Sequence, residues 1–377
     1  MIRLILLLRI FIGAVFIAMV AAVFAVSFAA IIYTGELAPY LNKGIGLALL
    51  GATILGLLGA FMMSYRGTAS QPQDVPAILL AGAASVLAAR NQLDGETLFA
   101  TTVCLIVVSS ISMGVAAIFC SRMRLAHLAK YIPYPVMAGF LAATGLLLFL
   151  GGVGIAMDES LNLETAMRLF ETDNLIRWLP WSIAAILMSI ATRVFSGTMT
   201  LPICISVMGG LFYLVLWGFG LNLSDARALN LLFGPFGDAW FLAGFSPNVI
   251  TQADWWAVLT QIPVVLTIIM VSLVSLTLNA SGIELETGED IDLNGDMGSI
   301  GVSNIISGFL GGIPGYHHMG ETLLSRRLGL KGALAGISCG VGCLLVLLFG
   351  TSILSALPMG FFAAVIMFLG LDLLYSW

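Results

Sequence analysis

The sequence predicts an all-α polytopic membrane protein, and three observations carry that prediction. Of 377 residues, 60% are hydrophobic and only 9% are charged, where a soluble domain carries about a quarter charged residues. Mean hydropathy is +1.06. Apolar runs of roughly 20 residues, the length that crosses a bilayer, recur along the whole chain.

About twelve spans follow from these runs, at 10–33, 44–65, 75–90, 98–120, 134–156, 178–195, 199–220, 256–279, 297–312, 315–327, 331–350 and 353–375. The first begins after Arg3 and Arg9 and stays apolar to Tyr33 with no small-residue cleavage site, so it reads as an uncleaved span. Spans 75–90 and 315–327 are too short to cross ~30 Å at ~1.5 Å per residue. Span 297–312 is short as well. Free backbone ends of such helices are tolerated inside a membrane only where protein or a water-filled cavity receives them. With a cytoplasmic N-terminus, ten of the 15 Lys and Arg residues fall on the cytoplasmic side, as the positive-inside rule requires. The chain is expected to be an integral membrane protein, of the cytoplasmic (inner) membrane if its source is bacterial.

The connections are less apolar. Segments 157–177 and 221–255 are amphiphilic, the second holding Asp225, Arg227, Asp238, Trp240, Asp254 and Trp255. They read as extracytoplasmic loops or interfacial helices. Six acids (Glu284, Glu286, Glu289, Asp290, Asp292, Asp296) crowd one loop. The net charge of −5 comes with no basic patch interleaved with aromatics, which argues against nucleic acid as a partner. The five cysteines sit in or at the ends of apolar runs and read as small buried hydrophobes. Gly139, Gly145, Gly308, Gly311 and Gly312 suit close helix packing.

Two polar interruptions stand out: Gln71-Pro72-Gln73-Asp74-Val75-Pro76, and Gly315-Tyr316-His317-His318-Met319-Gly320-Glu321-Thr322. Each runs directly into a short apolar segment. Ionisable groups at membrane depth mark substrate or ion paths more often than packing. Paired interrupted helices in two halves of a chain point to a secondary transporter's binding site. Ser70 or Asp74 also reads as a helix cap. Two helix starts converging on one point make an anion site without any basic side chain. His317 and Glu321 are four apart and His318 and Glu321 three apart, so they would share a helix face. That face is open to three readings: a metal site completed by Asp74, a proton relay, or a polar helix end satisfied locally. Ser27, Thr277 and Asn279 are weaker candidates, since span hydroxyls mostly bond their own helix.

The stretch Lys130-Tyr131-Ile132-Pro133-Tyr134-Pro135-Val136-Met137-Ala138-Gly139-Phe140 resembles the IPxPVxxGF signature of the sulfate permease (SulP) family of anion transporters. Gly282-Ile283-Glu284, Asp292-Leu293-Asn294, Gly301-Val302-Ser303-Asn304-Ile305-Ile306-Ser307-Gly308 and Gly311-Gly312-Ile313-Pro314-Gly315 resemble the family's later block. The resemblance spans nearly the whole chain. It implies a seven-plus-seven inverted-repeat transporter fold of the sulfate permease and uracil transporter type, with core and gate parts and half-helices 3 and 10 meeting at the midplane. The first repeat would cover about 10–220 and an incomplete second about 256–377. It implies a small anion as substrate (sulfate, bicarbonate, chloride or dicarboxylate), elevator-like alternating access, proton or sodium coupling, and a homodimer in the lipid bilayer. It implies no cofactor, no bound metal and no enzymatic activity. Carried over, the substrate-binding positions are Ser27, Phe28, Gln73, Asp74, Val75, Met319, Gly320, Glu321 and Thr322. Glu321, His317 and Asp74 are the coupling-proton positions.

Three features depart from the family pattern. Many members carry Arg where Glu321 stands and a hydroxyl where Gly320 stands. Many carry an acid near Val274. Only twelve spans are visible up to Trp377, without the family's last two spans and C-terminal STAS domain, the pattern of a fragment or of a truncated gate. A nucleobase/proton symporter of the same architecture, and a metal-binding membrane protein using His317, His318 and Glu321, are the alternatives.

Overall fold

A computed structural model of the chain describes residues 2–91, 93–126, 134–157, 168–195, 200–229, 231–232, 248–354 and 358–376. Lys130 to Pro133 of the signature stretch, and Asp238 and Trp240, lie outside the described residues. In chain order the elements are α1 (Ile2–Ile32), a 3-10 turn (Gly35–Tyr40), α2 (Leu41–Met62), β1 (Ser70–Pro72), α3 (Asp74–Asn91), α4 (Gly95–Arg122), α5 (Tyr134–Met157), α6 (Thr172–Val194) and α7 (Thr200–Gly218). There follow α8 (Leu223–Ala228), α9 (Asn248–Gln252), α10 (Trp255–Thr260), α11 (Ile262–Thr287), α12 (Leu293–Phe309), β2 (Gly315–His317), α13 (Met319–Arg327), α14 (Leu334–Leu354) and α15 (Met359–Ser376).

Most elements fall where the apolar runs place them, and the differences have local causes. The run at 256–279 is split, because Asp254 caps α10 through Trp256 N and Ala257 N (2.9 and 3.1 Å). Pro263 then stands in the first turn of α11, where a missing N–H costs nothing. α11 continues to Thr287 and ends on Gly288 at φ +70°, so Glu284 and Glu286 are helical. Asp292 caps α12 through Gly295 N (3.0 Å), which puts Asp296 in its first turn. The acid-rich loop shrinks accordingly to 288–292. Among the described residues, five helices are long and apolar enough to cross a membrane, and five more are apolar but shorter. α13 has nine residues and reaches only ~14 Å.

The chain divides into two compact units, each drawing on both halves of the sequence. The first comprises Met1–Gly13, Pro133–Phe236 and Gly350–Trp377. Here α15 lies along α5 so closely that a Cβ on Gly370 would stand 2.5 Å from Gly145 O. Ser182 on α6 donates to Met367 Sδ (3.1 Å). Ile183, Leu187, Val207 and Leu211 are exposed, as side chains facing lipid tails are.

The second unit comprises Ala14–Ile132 and Gly237–Phe349. Its central crossing joins α4 and α12. A Cβ on Gly301 would meet Gly114 O at 2.6 Å, and one on Gly114 would meet Gly301 O at the same distance. Small residues at such a crossing let the backbones approach, the main source of attraction between helices in lipid. Ser110 Oγ on α4 donates to Gly312 O (2.6 Å), holding the loop that leads into β2. Gly311 in that loop has φ +80°, the left-handed conformation only glycine adopts cheaply. Gly139, by contrast, has open space where its Cβ would be, so the packing role expected for it is not used among the described residues.

Gly301→Val is expected to overpack the α4–α12 crossing and lower stability by roughly 1–3 kcal/mol. Gly139→Ala leaves it unchanged. Thermal unfolding of the two purified variants distinguishes them.

Candidate functional site at the paired helix starts

The two polar interruptions form one object, inside the second unit. β1 and β2 pair antiparallel, with Ser70 opposite His317, Gln71 opposite Tyr316 and Pro72 opposite Gly315. Gln73 N donates to Pro314 O (3.2 Å) and His318 N to Ala69 O (2.8 Å), extending the ladder at both ends. Because the strands run oppositely, α3 leaves the ribbon at its Pro72 end and α13 leaves at its Ser70 end. Two N-terminal dipole ends, each worth about half a positive charge, are thereby turned toward the same ribbon. Three residue pairs, about 10 Å of strand, stand between the helix starts.

The ribbon is held from every side. Asn304 on α12 clamps Gly315, accepting from its N–H (2.8 Å) and donating to its carbonyl (2.6 Å). Asn279 on α11 donates to His317 O (3.2 Å). Thr322 Oγ accepts from Ala69 N (3.0 Å) and donates to His318 O (2.8 Å). Gln73 Nε2 donates to Gln71 O and Tyr316 O (3.1 and 3.2 Å). Gln73 and Thr322, expected to bind substrate, therefore tie the strands and the α13 start together.

His317 and Glu321 do not share a helix face. His317 lies in β2, so the helix that would have aligned them begins two residues later. Its Nε2 instead meets Asp296 Oδ2 at 3.0 Å, both side chains fully buried. Asp296 Oδ1 also accepts from Ser64 N (2.6 Å). The sequence showed Asp296 as one of six loop acids, and nothing in its spacing distinguished it. His318 caps α13: its Nδ1 accepts from Glu321 N (3.2 Å), which places its proton on Nε2. The His318 ring lies tilted against Phe24 of α1 (centroids 5.0 Å, planes at 43°), and Phe24 stacks on Phe28 (5.8 Å). Ser27 is buried and its Oγ has no partner. Thr277 Oγ bonds its own helix at Val274 O (2.7 Å), as expected of a span hydroxyl.

The two acids differ in setting. Asp74 opens α3, half-buried; its Oδ1 accepts from Val75 N (2.8 Å) and its Oδ2 has no partner. Val75 and Gly320 are also half-buried, while Met319 is buried. Glu321 is wholly buried, its Oε2 meeting Cys339 Sγ on α14 at 3.5 Å and its Oε1 unpartnered. Ser70 lies in β1 and caps nothing. At the α13 start, Glu321 N and Thr322 N are taken by His318, leaving the Met319 and Gly320 amides with no helical acceptor. At the α3 start only Asp74 N is left so, because Val75 N is occupied and Pro76 has none. Among the described residues no three His, Cys, Asp or Glu side chains converge as metal ligands, so the metal reading finds no support in this geometry.

The model of the sulfate permease family matches residues 7–377. Among solved structures, the chain is similar to the transmembrane domain of a cyanobacterial bicarbonate transporter, BicA, at TM-score 0.66 and 17% identity, covering 98% of this chain and 89% of that one. It is also similar to murine Solute Carrier 26 family member A9, an anion transporter, in its inward-facing state (TM-score 0.59, 14% identity, 97% and 61% covered). A curated relative, the vacuolar basic amino acid transporter VSB1 of Saccharomyces cerevisiae, is 22% identical over 299 residues. That alignment takes in 76% of this chain and 29% of the yeast protein.

Asp296→Ala leaves a buried imidazole beside an emptied site and is expected to destabilise by about 3–5 kcal/mol. Adding His317→Leu to Asp296→Leu should recover part of the loss, because both polar partners then leave together. A double-mutant cycle by thermal or chemical unfolding measures this. Asn304→Ala strips two hydrogen bonds from Gly315 and should cost about 2–3 kcal/mol.

Proposed function

Since the chain belongs to the sulfate permease family, we propose that it is the membrane domain of a secondary transporter whose substrate carries an anionic group held at a helix start beside the β1–β2 ribbon. The observation that carries this reading is the β1–β2 ribbon, which turns a helix N-terminus toward each of its ends and leaves the Met319, Gly320 and Asp74 amides without helical acceptors. Helix N-termini are anion sites by geometry and by dipole. The proteins it resembles fit the same chemistry: bicarbonate for the cyanobacterial one, basic amino acids for the yeast one, each able to present an oxyanion. Sulfate, bicarbonate, chloride and dicarboxylates are the first substrates to test.

In this reading transport proceeds by an elevator-like alternating access, for which the division into two compact units is the support. The coupling proton is assigned to His317 rather than Glu321, because His317 faces a carboxylate and its Nδ1 has no partner. The pair sits beside an apolar cluster of Met63, Met113, Leu276, Met297, Ile300 and Tyr316, with Cys120 of α4 at its edge. His318 lies next in the chain, and Arg326 and Arg327 of α13 are exposed.

Gly320 offers a direct test of the amides. A Cβ there would touch only His318, at 3.5 Å, so Gly320→Ala is expected to keep substrate affinity within about threefold. Gly320→Pro deletes one charge-facing N–H and should weaken affinity about tenfold or more. Uptake of labelled sulfate, bicarbonate, chloride and fumarate into proteoliposomes, with uracil as the uncharged control, measures both. Equal affinity in the two variants, or transport of uracil alone, would sink the reading.

A further inference from the structure

The site holds more negative charge than an anion site needs. Asp74 Oδ2 and Glu321 Oε1 both lack a hydrogen-bond partner, and among the described residues no Lys or Arg is buried. Midway along β1, Gln71 is fully buried with both its Nε2 and its Oε1 unpartnered. Orphaned buried polar atoms are rare enough that each needs an explanation, and those on Ser70, Gln71, Asp74, His317 and Glu321 lie on the ribbon or in the first turns that flank it. A buried carboxylate without a counter-charge is costly, and it is relieved by a proton or by a cation. A proton would make Asp74 Oδ2 or Glu321 Oε1 a donor, and a buried donor needs an acceptor. Neither oxygen has an acceptor within hydrogen-bonding distance, so a proton on Glu321 would have to sit on Oε2 against the Cys339 sulfur, a weak acceptor. A ligand bearing N–H donors on a positive group satisfies the charge and the hydrogen bonds together.

We infer that the substrate is a basic α-amino acid, an inference that rests on the reading of the helix starts as the seat of an anionic group. Its head group belongs at the α13 start, where two amides, Met319 and Gly320, are without acceptors against one at the α3 start. The carboxylate takes those amides and the α-ammonium takes Glu321. The cationic end of the side chain reaches along the ribbon to Asp74, with Gln71 between to donate and accept. One inorganic ion cannot serve both ends of a ribbon about 10 Å long, whereas an extended lysine or arginine can approach both. The groups also match: one anionic group against the two amides of the α13 start, two cationic groups against two carboxyls.

The test is ligand-dependent thermal stabilisation of the purified full-length protein by arginine, lysine, glycine, agmatine (arginine without its carboxylate), sulfate and bicarbonate. The expected result is stabilisation by arginine and lysine, with glycine and agmatine at least about tenfold weaker. Asp74→Asn and Glu321→Gln should each weaken arginine about tenfold or more. Size-exclusion profiles and ligand-free melting confirm that the variants fold. If Glu321→Gln does not, Asp74→Asn and the glycine and agmatine series decide. Stabilisation by sulfate or bicarbonate with the amino acids inert overturns this inference and leaves the anion reading standing. Agmatine equal to arginine, or no response to any probe, overturns both. Arginine affinity unchanged in Asp74→Asn, or glycine equal to arginine, overturns the inference alone.

Discussion

Backbone hydrogen bonding in a medium without water is the constraint on which the second unit depends. A chain that interrupts a helix inside lipid exposes amides and carbonyls that nothing outside the protein can satisfy. Here two interruptions satisfy one another, as six residues pair into an antiparallel ribbon extended by Gln73 to Pro314 and by His318 to Ala69. Asn304, Asn279, Thr322 and Gln73 take up backbone groups around it. The surrounding helices supply these amides and hydroxyls from positions that, by sequence alone, look like scattered polar residues in apolar spans.

The ribbon's polarity follows from strand chemistry and creates the electrostatics. An antiparallel pair must send its two C-terminal continuations off opposite ends, so both following helices begin at the ribbon and point their amide ends back toward it. No basic side chain is required for the resulting positive field. Onto that field the chain adds the carboxyl groups of Asp74 and Glu321. A site with donors from the backbone and acceptors from side chains suits a ligand carrying both signs of charge.

Close helix approach makes the arrangement possible. Gly114 and Gly301 let α4 and α12 meet backbone to backbone, which brings Ser110 to Gly312 and Asn304 to Gly315. On the opposite side, Gly336 and Gly340 of α14 pack against Gly56 and Ala60 of α2, and Cys339 on the same helix thereby reaches Glu321. The glycines and the polar clamps are parts of one design: small residues set the distance at which a hydrogen bond across helices can form.

The sequence by itself determined the membrane class, the positions of nearly all described helices, the family, and the two interruptions as the place where chemistry belongs. These follow from composition, run length and local motifs, which depend only on neighbours in the chain. Tertiary structure alone decided how the polar residues divide their work. His317 fell on a strand rather than a helix, so its partner became Asp296, 21 residues away, instead of Glu321. Gln73 and Thr322 became struts, Gln71 was left with both ends of its amide free, and Asp296 moved from an apparent loop into the core. Hydrogen-bond partnership between distant segments depends on which helices lie side by side, and hydrophobic periodicity carries no record of that.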